Sequence, residues 1–125
     1  LLSKNPTGFN ESLRAVLHSD EVGPILIALN DRIPDGRDIS WIWDVDFEQL
    51  TLSKQSIVIT GDRAYDMGIR IKHATNGKLP LVEPGTEKAI STLLGRMSEG
   101  QTAWVLATYS AMLDIRKIVT GNKIL

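Results

Sequence analysis

Short runs of consecutive apolar, β-branched residues alternate along the chain with stretches whose apolar residues recur every three or four positions. The first kind suits strands covered on both faces and the second suits amphipathic helices, so their alternation predicts an α/β domain with a mostly parallel sheet between two helical layers. The regular pattern begins at Asn5-Pro6, a capping asparagine and a proline at the first helical position, followed by Phe9, Leu13, Val16 and Leu17 on one face. Gly23-Pro24 breaks the chain, and Ile25 to Leu29 follows as the expected central strand. Ser56 to Thr60 reads as a second buried strand. Gly61-Asp62-Arg63 caps the helix after it, whose apolar face is Ala64, Met67, Gly68 and Ile71 and whose end falls near Asn76-Gly77. Leu79 to Val82 suits a sheet edge, because Pro80 has no amide donor, and Thr86 is the expected cap of a helix carrying Ala89, Ile90, Leu93, Leu94 and Met97. Ala103 to Ala107 is the last strand, and Met112, Ile115 and Val119 line a last helix closing at Gly121.

One segment breaks this rhythm. Asn30 to Glu48 gathers Asp31, Arg32, Asp35, Arg37, Asp38, Asp44, Asp46 and Glu48 around Trp41 and Trp43. Its first part reads as a polar loop with an Asp-Gly turn and local Asp/Arg pairs. Its second part alternates, which predicts a strand with Ile39, Trp41, Trp43, Val45 and Phe47 packed on the sheet and Ser40, Ile42, Asp44 and Asp46 on the opposite face. The carboxylates on that face are either simply solvated or placed to accept a hydrogen bond from a histidine of another chain.

With 125 residues, 42% of them apolar, the chain is long enough for one hydrophobic core and too short for two, so residues 1–125 are expected to form one domain. A net charge of -1 without a basic block argues against nucleic acid as a partner. No apolar run approaches the roughly 20 residues of a membrane span, and the first residues lack a signal-peptide layout, so a soluble, cytoplasmic protein is expected. The absence of cysteine removes disulfides, thiolate metal ligands and a cysteine nucleophile from this chain. No metal site is expected. His18 and His73 read as surface or helix-end residues, and Met67, Met97 and Met112 as core. Tyr109-Ser110 either lines a crevice at a strand end or bonds locally. Ser3 to Gly8 either receives a phosphate at a helix start or is an ordinary capped helix. Gly61-Asp62-Arg63 has one glycine where a dinucleotide fingerprint needs three.

Three blocks carry a resemblance: Lys4-Asn5-Pro6-Thr7-Gly8-Phe9-Asn10; Asn30-Asp31 with Asp35 to Glu48, which contains Asp-Gly-Arg-Asp and Trp-Ile-Trp-Asp; and Leu106 to Leu113. In this order they cover nearly the whole chain, and it resembles the C-terminal domain of the MurT family, the Mur-ligase-like subunits of lipid II isoglutaminyl synthases. The resemblance implies the three-layer, Rossmann-like fold of Mur ligase C-terminal domains. It also implies part of a two-subunit amidotransferase that converts the α-carboxylate of D-glutamate in lipid II to an amide, with ATP and Mg2+ activating the carboxylate and glutamine supplying ammonia. A class I glutaminase subunit, GatD-like, would be the partner and carry the cysteine and histidine, and an aspartate of this domain would complete its triad. Asp44 is the first candidate for that aspartate, followed by Asp46 and Asp38. Lys4 and Asn5 look like positions that approach the ATP phosphates. No Gly-rich phosphate loop is present, so the catalytic central domain is expected outside this chain, the domain alone is expected to be inactive, and the enzyme would act at the inner face of the membrane. The alternatives are the C-terminal domain of another Mur or folylpolyglutamate ligase, and a non-catalytic interaction module.

Overall fold

A computed structural model of the chain describes residues 5–20, 23–77 and 79–124. Four helices and four strands carry the architecture: α1 (Pro6–Leu17), β1 (Ile25–Ala28), β2 (Ile57–Thr60), α2 (Ala64–Ala74), β3 (Leu81–Val82), α3 (Thr86–Gly95), β4 (Trp104–Ala107) and α4 (Tyr109–Ile124). The strands form one sheet in the order β3-β2-β1-β4, every neighbouring pair parallel. β1 is central and β3 lies at an edge, as the uninterrupted apolar run of the one and the proline beside the other require.

The strand alternation sorts the core into two halves. Ile25, Ile27 and Leu29 join Ile57, Ile59 and Leu106 beneath Phe9, Leu13 and Val16 of α1 and Met67 and Ile71 of α2. Leu26, Ala28, Val58 and Ala107 point the other way, onto Ala89, Ile90 and Leu93 of α3 and Ala111 and Ile115 of α4. With side-chain period 2, each strand thus feeds both layers, which is why these runs contain no polar residue until Thr60 and Thr108. Asn5 caps α1 as expected, its side-chain oxygen accepting the Gly8 N–H at 2.8 Å.

Two helix starts differ from expectation. The N-cap of α2 is Arg63 and that of α3 is Gly85, neither with a side-chain capping bond, because Asp62 is drawn to Arg32 and Thr86 is already the first helical residue. α4 continues past Gly121 to Ile124, since no left-handed stop forms there. Met67 is fully buried, whereas Met97 lies beyond the end of α3 and, like Met112, is half-buried.

The connection from β1 to β2 is the main correction. The strand expected over Ile39 to Phe47 does not form; Ile33–Asp35, Ser40–Asp44 and Phe47–Leu52 are instead three short 3-10 helices. The same segment carries a second spacing, Ile39, Ile42 and Val45, then Phe47 and Leu50, which matches the three-residue turn of a 3-10 helix. Ile42, Val45, Phe47 and Leu50 are buried. Trp41 packs tilted against Phe9 at 5.2 Å, but Trp43 turns outward, half exposed, against the edge of His73 and beneath the Arg70 guanidinium.

Gly61, directly after β2, has φ +106, and a Cβ there would stand 2.4 Å from the Leu29 carbonyl oxygen. Gly61→Ala is therefore expected to cost about 2 kcal/mol or more through left-handed strain and displaced backbone, read as a lowered urea midpoint.

Candidate functional site

The polar groups of the chain converge at the C-terminal ends of the strands. Asn30, after β1, donates its backbone N–H to Thr108 Oγ1 at 3.1 Å and its side-chain amide to Ser110 Oγ at 3.0 Å, while its Oδ1 accepts the Asp62 N–H at 2.8 Å. One side chain thereby ties together the loops after β1, β2 and β4. Asp35 is also buried, and its carboxylate accepts the Ser110 N–H at 2.7 Å, the Ser110 hydroxyl and the Arg32 N–H. The Asp/Arg pairs expected to be local are mostly long-range. Arg32 bridges Asp62 at 2.8 Å and Asp114 at 3.1 Å, and Arg63 bridges Asp31 and Asp66, each at 2.8 Å. These carboxylates push both guanidinium pKa values up, and the bond from Arg63 holds Asp66 below the ordinary carboxylate range. The pairs are partly exposed, so each contributes only a fraction of a kcal/mol and serves mainly to set the register of the loops.

Beside this knot, the segment from Gly36 to Trp43 lies along α2 and leaves an open groove of about 450 Å³ lined by Arg37, Asp38, Ile39, Ser40, Ile42, Trp43, Arg63, Asp66 and Ile69. Gly36, at φ +86, lets the chain leave the Ile33–Asp35 turn and run along that rim. Asp38 is fully exposed, and its Oδ1 accepts the Ser40 backbone N–H at 2.9 Å. That bond, with a contribution from the Ser40 hydroxyl, lowers the Asp38 pKa below its ordinary value, so at neutral pH Asp38 is an oriented, exposed anion. Ser40→Ala, which keeps the backbone N–H and removes only the hydroxyl's contribution, is expected to raise the Asp38 titration point part of the way toward the ordinary aspartate value; carboxyl carbon shifts followed by NMR against pH would read it.

The other candidates stand differently. Asp44 ends the Ser40–Asp44 turn and is exposed, and its carboxylate has no hydrogen-bond or ion-pair partner among the described residues. Asp46 is exposed as well; its backbone N–H bonds Asn10 Oδ1 at 2.7 Å, while its carboxylate has no partner among the described residues. The strand face expected to present Asp44 and Asp46 together does not form. Asn5 is committed to capping α1, and Lys4 lies outside the described residues. Among the described residues no group of three His, Asp or Glu side chains is arranged to hold a metal ion.

Sequence reasoning left the pairing of Asp35 with Ser110 unseen and missed Arg70 altogether. Asp35 was visible only as one of several loop acids, and of the two readings of Tyr109-Ser110, a strand-end crevice or local bonding, Ser110 follows the first, meeting Asp35 across 75 positions. Arg70, buried on α2 beside Ile71, holds the carbonyls of Ile42 and Val45 and the Glu48 carboxylate. The one available signal was a charged residue next to the apolar face of a helix.

Comparison with known proteins agrees with this architecture. Two relatives are named lipid II isoglutaminyl synthase (glutamine-hydrolyzing) subunit MurT. The one from Staphylococcus aureus (strain COL) is 43% identical over 74 residues, 58% of this chain and 17% of the relative. The one from Streptococcus pneumoniae (strain ATCC BAA-255 / R6) is 29% identical over 126 residues, 99% of this chain and 28% of the relative. The chain therefore spans well under a third of the length of either relative. The MurT ligase C-terminal family matches residues 2–112, and with its parallel sheet between two helical layers this chain belongs to that family.

Proposed function

We propose that this chain is the C-terminal domain of a lipid II isoglutaminyl synthase subunit and that it completes the active site of a glutaminase partner with the Asp38 carboxylate. The observation that carries the reading is the state of Asp38: exposed on the rim of a groove, ionised, and aimed by Ser40. A glutaminase thiol needs a histidine to take its proton, and that histidine needs a carboxylate to fix its tautomer and stabilise the imidazolium. In this reading the partner carries the nucleophile, in keeping with a segment that has no cysteine, and Asp38 supplies the carboxylate. One oxygen is held by Ser40; the other accepts the imidazole N–H. Asp44 and Asp46, equally exposed but with unanchored carboxylates, are the alternates.

In this reading glutamine is hydrolysed to glutamate and ammonia at the shared site, and the ammonia amidates the α-carboxylate of D-glutamate in lipid II to D-isoglutamine. Activation of that carboxylate by ATP and Mg2+ is assigned to the remainder of the synthase. Work on a lipid-linked substrate at the membrane's inner face belongs to the same reading; no helix among the described residues is itself long and apolar enough to cross a membrane.

The test is glutamine hydrolysis by the assembled complex carrying Asp38→Asn, with complex formation checked by size exclusion. Loss of hydrolysis in an intact complex supports the reading. Unchanged hydrolysis rejects Asp38 and passes the test to Asp44→Asn and Asp46→Asn; unchanged hydrolysis in all three leaves a docking module. Failure of the unmutated chain to form a complex rejects the reading as a whole.

A further inference from the structure

In an open α/β sheet, ligands normally enter the crevice where neighbouring strands continue the chain in opposite directions, with helix N-termini offering N–H groups to an anion. In the order β3-β2-β1-β4 that crevice lies between the ends of β1 and β4, at the start of α4. Here it is filled from within. Asp35 enters it, accepts the Ser110 N–H and hydroxyl at the beginning of α4, and takes the place an anionic ligand would occupy. Asn30 closes the other side through Thr108 Oγ1 and Ser110 Oγ.

We propose that Asp35 and Ser110 act as positioning residues for Asp38: the plugged crevice anchors the loop that presents the triad carboxylate to the glutaminase partner. This rests on the reading of Asp38 above and extends it to residues that touch neither substrate nor partner histidine. Asp38 sits between two fixed points. On one side Asp35, three positions before Asp38 and separated from it by the single turn at Gly36, is locked to Ser110. On the other, Ile42 is buried and its carbonyl accepts a hydrogen bond from Arg70 at 2.9 Å. Residues 36–41 span that interval, 36–38 of them exposed, so the location of the carboxylate is inherited from its ends.

Removing the Ser110 hydroxyl takes one bond from Asp35 and leaves the Asn30 amide without its acceptor, while the Ser110 N–H bond remains, so the loop loosens without losing its attachment. The experiment is a double-mutant cycle in the assembled complex: unmutated chain, Ser110→Ala, Asp38→Asn and the double variant. Glutamine hydrolysis is followed in single turnover at high complex concentration, so that slow rates remain readable. Ser110→Ala is expected to lower the hydrolysis rate about tenfold through misplacement of the carboxylate, with partner affinity and glutamine KM changed less than about twofold. In the Asp38→Asn background it is expected to change nothing, because the group it positions has gone.

An equal fall in both backgrounds, or no fall in the unmutated one, overturns the proposal. Asp38→Asn without effect overturns the reading beneath it, a separate outcome of the same cycle. If Ser110→Ala does not fold, Asp35→Asn, which keeps the shape but faces the Arg32 N–H with an amide or with a single oxygen, carries the same cycle.

Discussion

Replacing Asp38 by asparagine is expected to lower glutamine hydrolysis by the assembled complex about 10⁴-fold, the size of loss seen when a triad carboxylate becomes an amide and the histidine is left in the wrong tautomer. The argument turns on charge. Asparagine keeps the volume and can still accept the Ser40 N–H, so the turn at Ser40 should survive. It cannot stabilise an imidazolium. Because Asp38 is exposed, the domain itself should melt almost unchanged, and size exclusion should find the complex intact. Asp44→Asn and Asp46→Asn are expected to stay within about a factor of two, since neither carboxylate is held in one direction and an unanchored side chain gives up much of what orientation supplies. A large loss from Asp44→Asn with none from Asp38→Asn would invert the assignment.

Arg70→Ala should destabilise the domain by about 3 kcal/mol, lowering the melting temperature by about 10 °C. Arg70 is 4% exposed and bonds the Ile42 carbonyl at 2.9 Å, the Val45 carbonyl at 2.6 Å and both oxygens of Glu48. Its guanidinium also lies 5.2 Å from the ring centre of Trp43 and 5.5 Å from that of Phe47. Alanine removes the polar fork from beneath two 3-10 helices and leaves a void between buried Phe47 and half-exposed Trp43. Lysine is no substitute, because one ammonium cannot address two carbonyls and a carboxylate in a planar fork. Glutamine hydrolysis should fall as well, since Ile42 is one of the two fixed points around Asp38.

The same pair gives a pH signature. The hydrogen bond from Arg70 lowers the Glu48 pKa below its ordinary value of 4.5. A group whose pKa is lower folded than unfolded adds stability above the unfolded value and loses it as pH falls through the folded one. The stability gap between Arg70→Ala and the unmutated domain should therefore be widest above about pH 5 and narrow in acid, as parallel urea titrations would read. The half-exposed Glu48 keeps this component small beside the two carbonyl bonds.

The sheet and its flanking helices were legible because their causes are local. Ile25 to Leu29 and Ile57 to Ile59 can only be strands buried on both faces, and the stripe Phe9, Leu13, Val16 with the Asn5 cap can only be a helix laid on them. The segment that carries the candidate chemistry was legible in composition but not in shape. Ile39 to Phe47 satisfies an alternation of period 2 and a spacing of three at once. Periodicity could not choose between them, and the choice exchanged Trp43, expected inside, for Ile42, which is inside.

By itself, then, the sequence determined the α/β class, the central place of β1, the absence of a cysteine nucleophile and the stretch in which to look for a carboxylate. Only the tertiary structure decided which carboxylates are anchored and which are not. Asp35 meets Ser110 across 75 positions, and Arg70 meets Glu48 across 22. Such contacts leave no trace in local spacing, because they exist only once parallel strands have brought distant loops to one end of the sheet. The alternation around Asp44 was a local signal. It yielded because the buried fork of Arg70, together with the burial of Ile42, Val45 and Phe47, outweighed a strand propensity that no neighbouring strand was there to satisfy.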